Sequence, residues 1–205
     1  MKKVRREGQF QAVEIPPELG LWALHALEDA IQITKDFDAA PDLELLGKVA
    51  RAKWQRDRHS LERHTTSAVL FAGLAVEAFL NTCGVVRLGS DFYDENCERL
   101  EPTQKLVTLV LALTGELVDA DDKIFQVTKS LAKARNAAAH PKSGELSWDE
   151  AQEKYRKAMK QKDDGGLSRA KRAIADMTLF FREFRKICPD TERWMNPRVL
   201  KGDAT

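Results

Sequence analysis

Hydrophobic residues follow helical spacing along the chain, and no stretch alternates apolar and polar with the period of two that a half-buried strand needs. Pro16-Pro17 opens a first helix reaching about Phe37, since proline is tolerated in a first turn. Asp38-Ala-Ala-Pro41 breaks it, because the residue before a proline avoids helical geometry. A charged helix is expected from Asp42 to about His59, with a thin apolar stripe at Leu43, Leu46, Val49, Ala50 and Trp54. The segment SAVLFAGLAVEAFLNTCGVV follows, apolar on nearly all sides, and predicts a separate central helix over roughly 66–83 that is buried on nearly all sides. Its Ala72, Gly73, Ala75 and Ala78 are small enough for neighbouring helices to approach closely.

Beyond this helix the punctuation is clear. Gly89-Ser90 marks a turn, with Ser90 placed to cap a short helix to about Leu100. Pro102 begins a helix that Thr114-Gly115 closes. Another is expected from about Asp121 to Ala139, with acidic residues in its first turn and basic ones in its last as the helix dipole favours, and Pro141 stops it. Ser147-Trp-Asp-Glu150 reads as a capping box opening a helix to about Lys162. Asp164-Gly165-Gly166 breaks the chain again, and Ser168 is expected to cap a last helix that ends before Pro189. The fold class is therefore all-α, an up-and-down helical bundle over residues 61–188. Residues 1–60 form an N-terminal helical extension packing on it, and 189–205 an extended C-terminal tail.

Composition narrows the class. With 43% hydrophobic and 32% charged residues the chain is neither a disordered tail nor a membrane protein. The net charge of +1 argues against bulk electrostatic coating of nucleic acid and leaves room for a local basic patch. The longest apolar run, Ala68 to Leu80, is about a dozen residues and carries Glu77, too short for a membrane span. The basic start MKKVRREGQF has no apolar stretch behind it, unlike a secretory signal. Three scattered cysteines, Cys83, Cys97 and Cys188, suit reduced thiols and a cytoplasmic location. No spacing suggests a metal site, and no cofactor motif is present.

One segment carries a chemical signal, KSLAKARNAAAHPKSG with Arg135, Asn136 and His140. On a helical wheel Ile124, Val127, Leu131, Ala134 and Ala138 share the core face, with Arg135 at its edge. Lys129, Lys133, Asn136 and His140 form a separate polar stripe. Arg135 and His140 lie about 140° apart on an ideal helix, and Pro141 biases His140 out of helical geometry.

Here the chain resembles the HEPN superfamily of helical bundles. RNAAAH at 135–140 fits that family's Arg-x(4–6)-His spacing, with Asn136 in its polar position, and LAVEAFLN at 74–81 fits its upstream apolar helix with an internal acidic residue. The resemblance covers roughly residues 61–187. It implies a metal-independent endoribonuclease acting on single-stranded RNA as a homodimer, with motifs from both subunits facing one cleft. Members include toxins and antiphage effectors, which implies an antitoxin or regulatory partner. Others are non-catalytic dimerisation or partner-binding modules. His140 would exchange the proton of a ribose 2′-hydroxyl, since an imidazole titrates near neutrality. Arg135 would hold the scissile phosphate with its planar fork, and Asn136 would orient either group. Glu77 and Asn81, one turn apart, would support the pocket, and Lys129, Lys133 and Lys142 would position RNA through phosphates without reading sequence.

Structural roles compete with each of these. Arg135 and His140 near a helix C-terminus also suit bonding to orphan carbonyls, and the lysine stripe also suits a solvated face. Glu77 requires a cationic partner if buried, and Arg135 is the expected one. His25, His59 and His64 read as surface or boundary residues, the four tryptophans as core or staple residues, and Cys83 as an inert buried thiol.

Overall fold

The computed structural model describes residues 18–36, 47–140, 147–150, 153, 165–195 and 197–201. They form α1 (Glu18–Asp36), α2 (Lys48–Leu88), α3 (Ser90–Asn96), α4 (Pro102–Thr114), α5 (Lys123–Ala139), α6 (Gly166–Ile187), a 3-10 turn (Pro189–Trp194) and α7 (Pro197–Lys201). No strand occurs among the described residues, and the chain is an all-α helical bundle. Its axis is α2. Trp22 packs edge-on to Phe71 and His64 sits 3.5 Å from Asp29, so α1 runs antiparallel to α2. Phe79 meets Phe180, Phe181 and Phe184 edge to face, while Arg87 pairs with Asp190, so α6 runs parallel to α2.

The sequence predicts two helices over 42–83, but α2 is a single helix of 41 residues. No proline or glycine lies between Gly47 and Gly73 to interrupt the hydrogen-bond ladder, and Thr65 Oγ1 returns a bond to the Leu61 carbonyl at 2.9 Å without breaking it. Position 60, the expected end of an N-terminal extension, therefore lies inside α2. Ala23, Leu24 and Leu27 of α1 share one core with Val76, Leu80, Leu131 and Phe180. Part of α2 is long and apolar enough to cross a membrane by length and composition, and 56% of that window is buried within the protein.

Gly115 closes α4 in the left-handed region as expected, and Ser147 and Glu150 form the capping box by reciprocal bonds. The rest of the helix expected to about Lys162 lies outside the described residues apart from Glu153. Two expected caps move: Gly89, not Ser90, precedes α3, and Gly165 at φ 84° precedes α6, leaving Ser168 inside its first turn. Only a residue without Cβ adopts that φ cheaply. The C-terminal tail is not extended. Prolines start both of its short helices, and Met195 and Val199, four apart, are buried in the core. Arg182 donates to the Leu200 carbonyl at 3.0 Å, and Arg198 pairs with Glu28 of α1 at 2.6 Å. Trp54 is buried, whereas Trp22 and Trp148 are exposed rather than core residues; the side chain of Trp194 lies outside the description.

Candidate functional site

Two helices set the site. At Gly73 of α2 a Cβ would lie 2.8 Å from the Arg135 Cβ and 3.3 Å from the Leu131 carbonyl oxygen. The missing side chain is what lets α5 lie this close, as the small residues of the central helix predict. Arg135 then leans along α2 to Glu77, one turn on, and the guanidinium and carboxylate pair through Nη1 and Oε2. The expected Glu77–Arg135 salt bridge is present, at the bundle surface and not sealed in the core, with side-chain exposures of 23% and 19%.

Asn136 completes the clamp. Its Oδ1 accepts from Arg135 Nε at 3.1 Å and Nη2 at 2.8 Å, so one face of the guanidinium fork is fixed by a neighbour in sequence and another by Glu77. Arg135 bonds no terminal carbonyl of α5, which sets aside the helix-end role as its explanation. His140 is the C-cap of α5, with φ −125° and ψ 70°, the non-helical geometry that Pro141 imposes. Its imidazole is exposed and makes no hydrogen bond or ion pair among the described residues. Arg135 and His140 are not in contact; five residue steps along the helix separate them by about 7.5 Å of rise. Lys129 and Lys133 are exposed on α5 as expected, and Lys142 lies outside the described residues.

Asn81 joins the site through Lys105, not through Arg135. It lies on the inner side of Glu77, where its Oδ1 accepts from Lys105 Nζ at 2.8 Å and Tyr93 Oη at 2.6 Å. Lys105 Nζ also stands 4.0 Å from Glu77 Oε1, so Glu77 bridges an outer guanidinium and an inner ammonium. Lys105 is only 3% exposed, and desolvation holds its pKa below the usual lysine range. Burial likewise pushes the Tyr93 phenol up to about 12. The Tyr93 ring packs directly against Gly84, where any Cβ would overlap it. Sequence alone does not single out Lys105 or Tyr93 as site residues. A signal existed: Lys105 shares a wheel face of α4 with buried Pro102 and Leu109, an unusual position for a solvated lysine.

The Lys105 shift has a measurable sign. A lysine with a depressed folded pKa carries fewer protons folded than unfolded, so its contribution to stability rises with pH through the folded value towards about 10.5. Against Lys105→Met, wild type should therefore lose relative stability as pH falls from about 10 towards neutrality, measured by urea unfolding. The buried phenol and thiols titrate in both proteins and cancel in the difference. Parallel pH profiles would show that the ammonium is not desolvated.

A second cluster joins the ends of α2 and α6. Arg87 reaches Cys188 Sγ at 3.4 Å and pairs with Asp190. Burial raises the Cys188 thiol and pushes Cys83 up to about 12, as an inert interior thiol behaves. Among the described residues no group of three or more histidine, cysteine or acidic side chains comes together as a metal site.

Comparison of the chain with protein-family models, with curated proteins and with solved structures finds no match in any of the three.

Proposed function

We propose that the protein is a metal-independent endoribonuclease of the HEPN kind that cleaves single-stranded RNA. The observation that carries this reading is the fixed Arg135 fork and, about 7.5 Å of helix rise further on, the exposed imidazole of His140, which bonds nothing among the described residues. Glu77 and Asn136 hold the guanidinium from two directions, and three of its five N–H groups are engaged in those bonds. The remaining two can meet a phosphate oxygen, and a fork already oriented is the preorganised form of charge stabilisation. His140 would take the proton of the neighbouring 2′-hydroxyl as that oxygen attacks phosphorus. A protonated imidazole would then return a proton to the departing 5′-oxygen. The products would be a 2′,3′-cyclic phosphate and a 5′-hydroxyl. Unpaired strands are the natural substrate, because only there does the backbone splay within reach.

One His140 serves poorly as both acid and base. A two-fold dimer supplies a second Arg–His pair, and two-fold dimers are the commonest assemblies. Light scattering at micromolar concentration should give twice the chain mass; a monomer would remove the shared cleft. An antitoxin or other regulatory partner belongs to this reading as a further proposal. A cytoplasmic location does too.

The direct experiment is incubation of purified protein with unpaired RNA in EDTA, beside DNA of the same sequence. Cleavage of RNA alone supports the reading. The second reading, a non-catalytic partner-binding module, draws on one observation: Arg135 is already satisfied by Glu77 and Asn136 as a structural residue would be. Intact RNA after prolonged incubation would select it.

A further inference from the structure

The N-terminal half of α2 has no role in the chemistry above, yet it concentrates the charge of the chain. Residues 48–64 contain six lysines and arginines against two acidic residues, a net +4 in a protein whose total is +1. These charges are sorted around the helix. At 100° per residue, Lys53, Arg56, His59 and Arg63 fall within about 60° of one line, while Asp57 and Glu62 fall outside it. Lys53, Arg56, His59 and Arg63 are all exposed, and the three cations form no ion pair among the described residues. His59 and Arg63 share a shallow surface depression with Glu62, Thr66 and Ser67, so one carboxylate borders the basic line there.

The same line continues along α2 through Leu70 and Leu74 to Glu77, the residue that holds Arg135. Helix α5 runs antiparallel to α2 beside it. Arg135 lies at Gly73 and Glu77, and Ala134 and Ala138 line one groove with Thr65 and Val69. The end of α5 that carries His140 therefore points towards the basic half of α2. From Arg56 to Glu77 the helix rises about 30 Å, room for several nucleotides.

We propose that this face of α2 is a binding track for single-stranded RNA, with Lys53, Arg56 and Arg63 contacting successive phosphates and leading the strand to the His140 end of α5. The inference rests on the ribonuclease reading above for its choice of RNA. Trp54 is buried and Arg58 covers its ring at 5.6 Å, so among the described residues the basic half of the track offers no aromatic platform for bases. Binding should therefore be sequence-tolerant, modest and strongly salt-dependent.

The test uses the full chain carrying His140→Ala, so that binding is read without cleavage. Anisotropy of a labelled, unstructured RNA is followed from about 50 to about 200 mM salt. Adding Lys53→Glu, Arg56→Glu and Arg63→Glu together should weaken binding by about tenfold or more. It should also make the log–log salt slope shallower by about 2, at roughly 0.7 per lost contact to a single strand. Lys123→Glu with Lys171→Glu, equally exposed but off the track, should leave affinity within about twofold; melting curves check that both variants fold. Unchanged affinity and slope in the triple variant would overturn the track. With His140 restored, a triple variant that cleaves as fast as wild type also overturns it while leaving the nuclease reading in place. Track-dependent binding by a wild type that cuts no RNA supports the track and removes the nuclease.

Discussion

His140→Ala should abolish RNA cleavage while leaving the fold unchanged, with a rate loss of about a hundredfold or more, the usual worth of a positioned general base. The separation of effects is the informative part. His140 is exposed at the C-cap of α5, and its side chain bonds nothing among the described residues. Its removal belongs with surface changes of about half a kcal/mol or less. Arg135→Ala cannot be read so cleanly, because that guanidinium also neutralises Glu77. Thermal melts that overlay for wild type and His140→Ala, beside initial rates that differ by orders of magnitude, would assign the loss to chemistry. Equal rates would move the activity to another residue.

Glu77→Ala should destabilise the fold measurably. The carboxylate faces Arg135 through one oxygen and Lys105, 4.0 Å away, through the other. Without it two cations are left facing each other, one of them almost fully buried. Breaking a fully buried pair costs about 3–5 kcal/mol; with roughly a fifth of each side chain in water here, about 2 kcal/mol is expected. In a chain of this size that lowers Tm by about 4–8 °C. Glu77→Gln keeps acceptor and shape and should lose about half as much. A double-mutant cycle with Arg135→Met should return a coupling of about 1 kcal/mol or more. Strict additivity would mean that the pair contributes nothing beyond its separate contacts.

Most helix ends were legible because prolines and glycines mark them: Pro102, Gly115 and Pro141 act where the sequence places them. The Glu77–Arg135 pair was legible as well, since two charges on apolar helical faces must meet or be stranded. What local patterns miss is set by contacts distant in sequence. The seam between the charged and apolar halves of α2 looked like a boundary, but polarity changes without breaking a helix when no residue disrupts its ladder. The C-terminal tail folds because Val199 finds the side of α1 left open by Gly20, where a Cβ would come within 2.9 Å of it. Lys105 is buried by three helices, α2, α3 and α4, whose meeting no window of sequence encodes. Asn81, expected to support the catalytic residues, bonds Lys105 and reaches Glu77 only through it.

The claim that Arg135 and His140 drive attack by a ribose hydroxyl is tested most directly with a DNA oligonucleotide carrying one ribonucleotide, incubated with the wild-type protein in EDTA. The account predicts scission only on the 3′ side of that single ribose, leaving a 2′,3′-cyclic phosphate, and none with His140→Ala. Scission at a deoxyribose, or an intact oligonucleotide together with intact all-RNA controls, would contradict it.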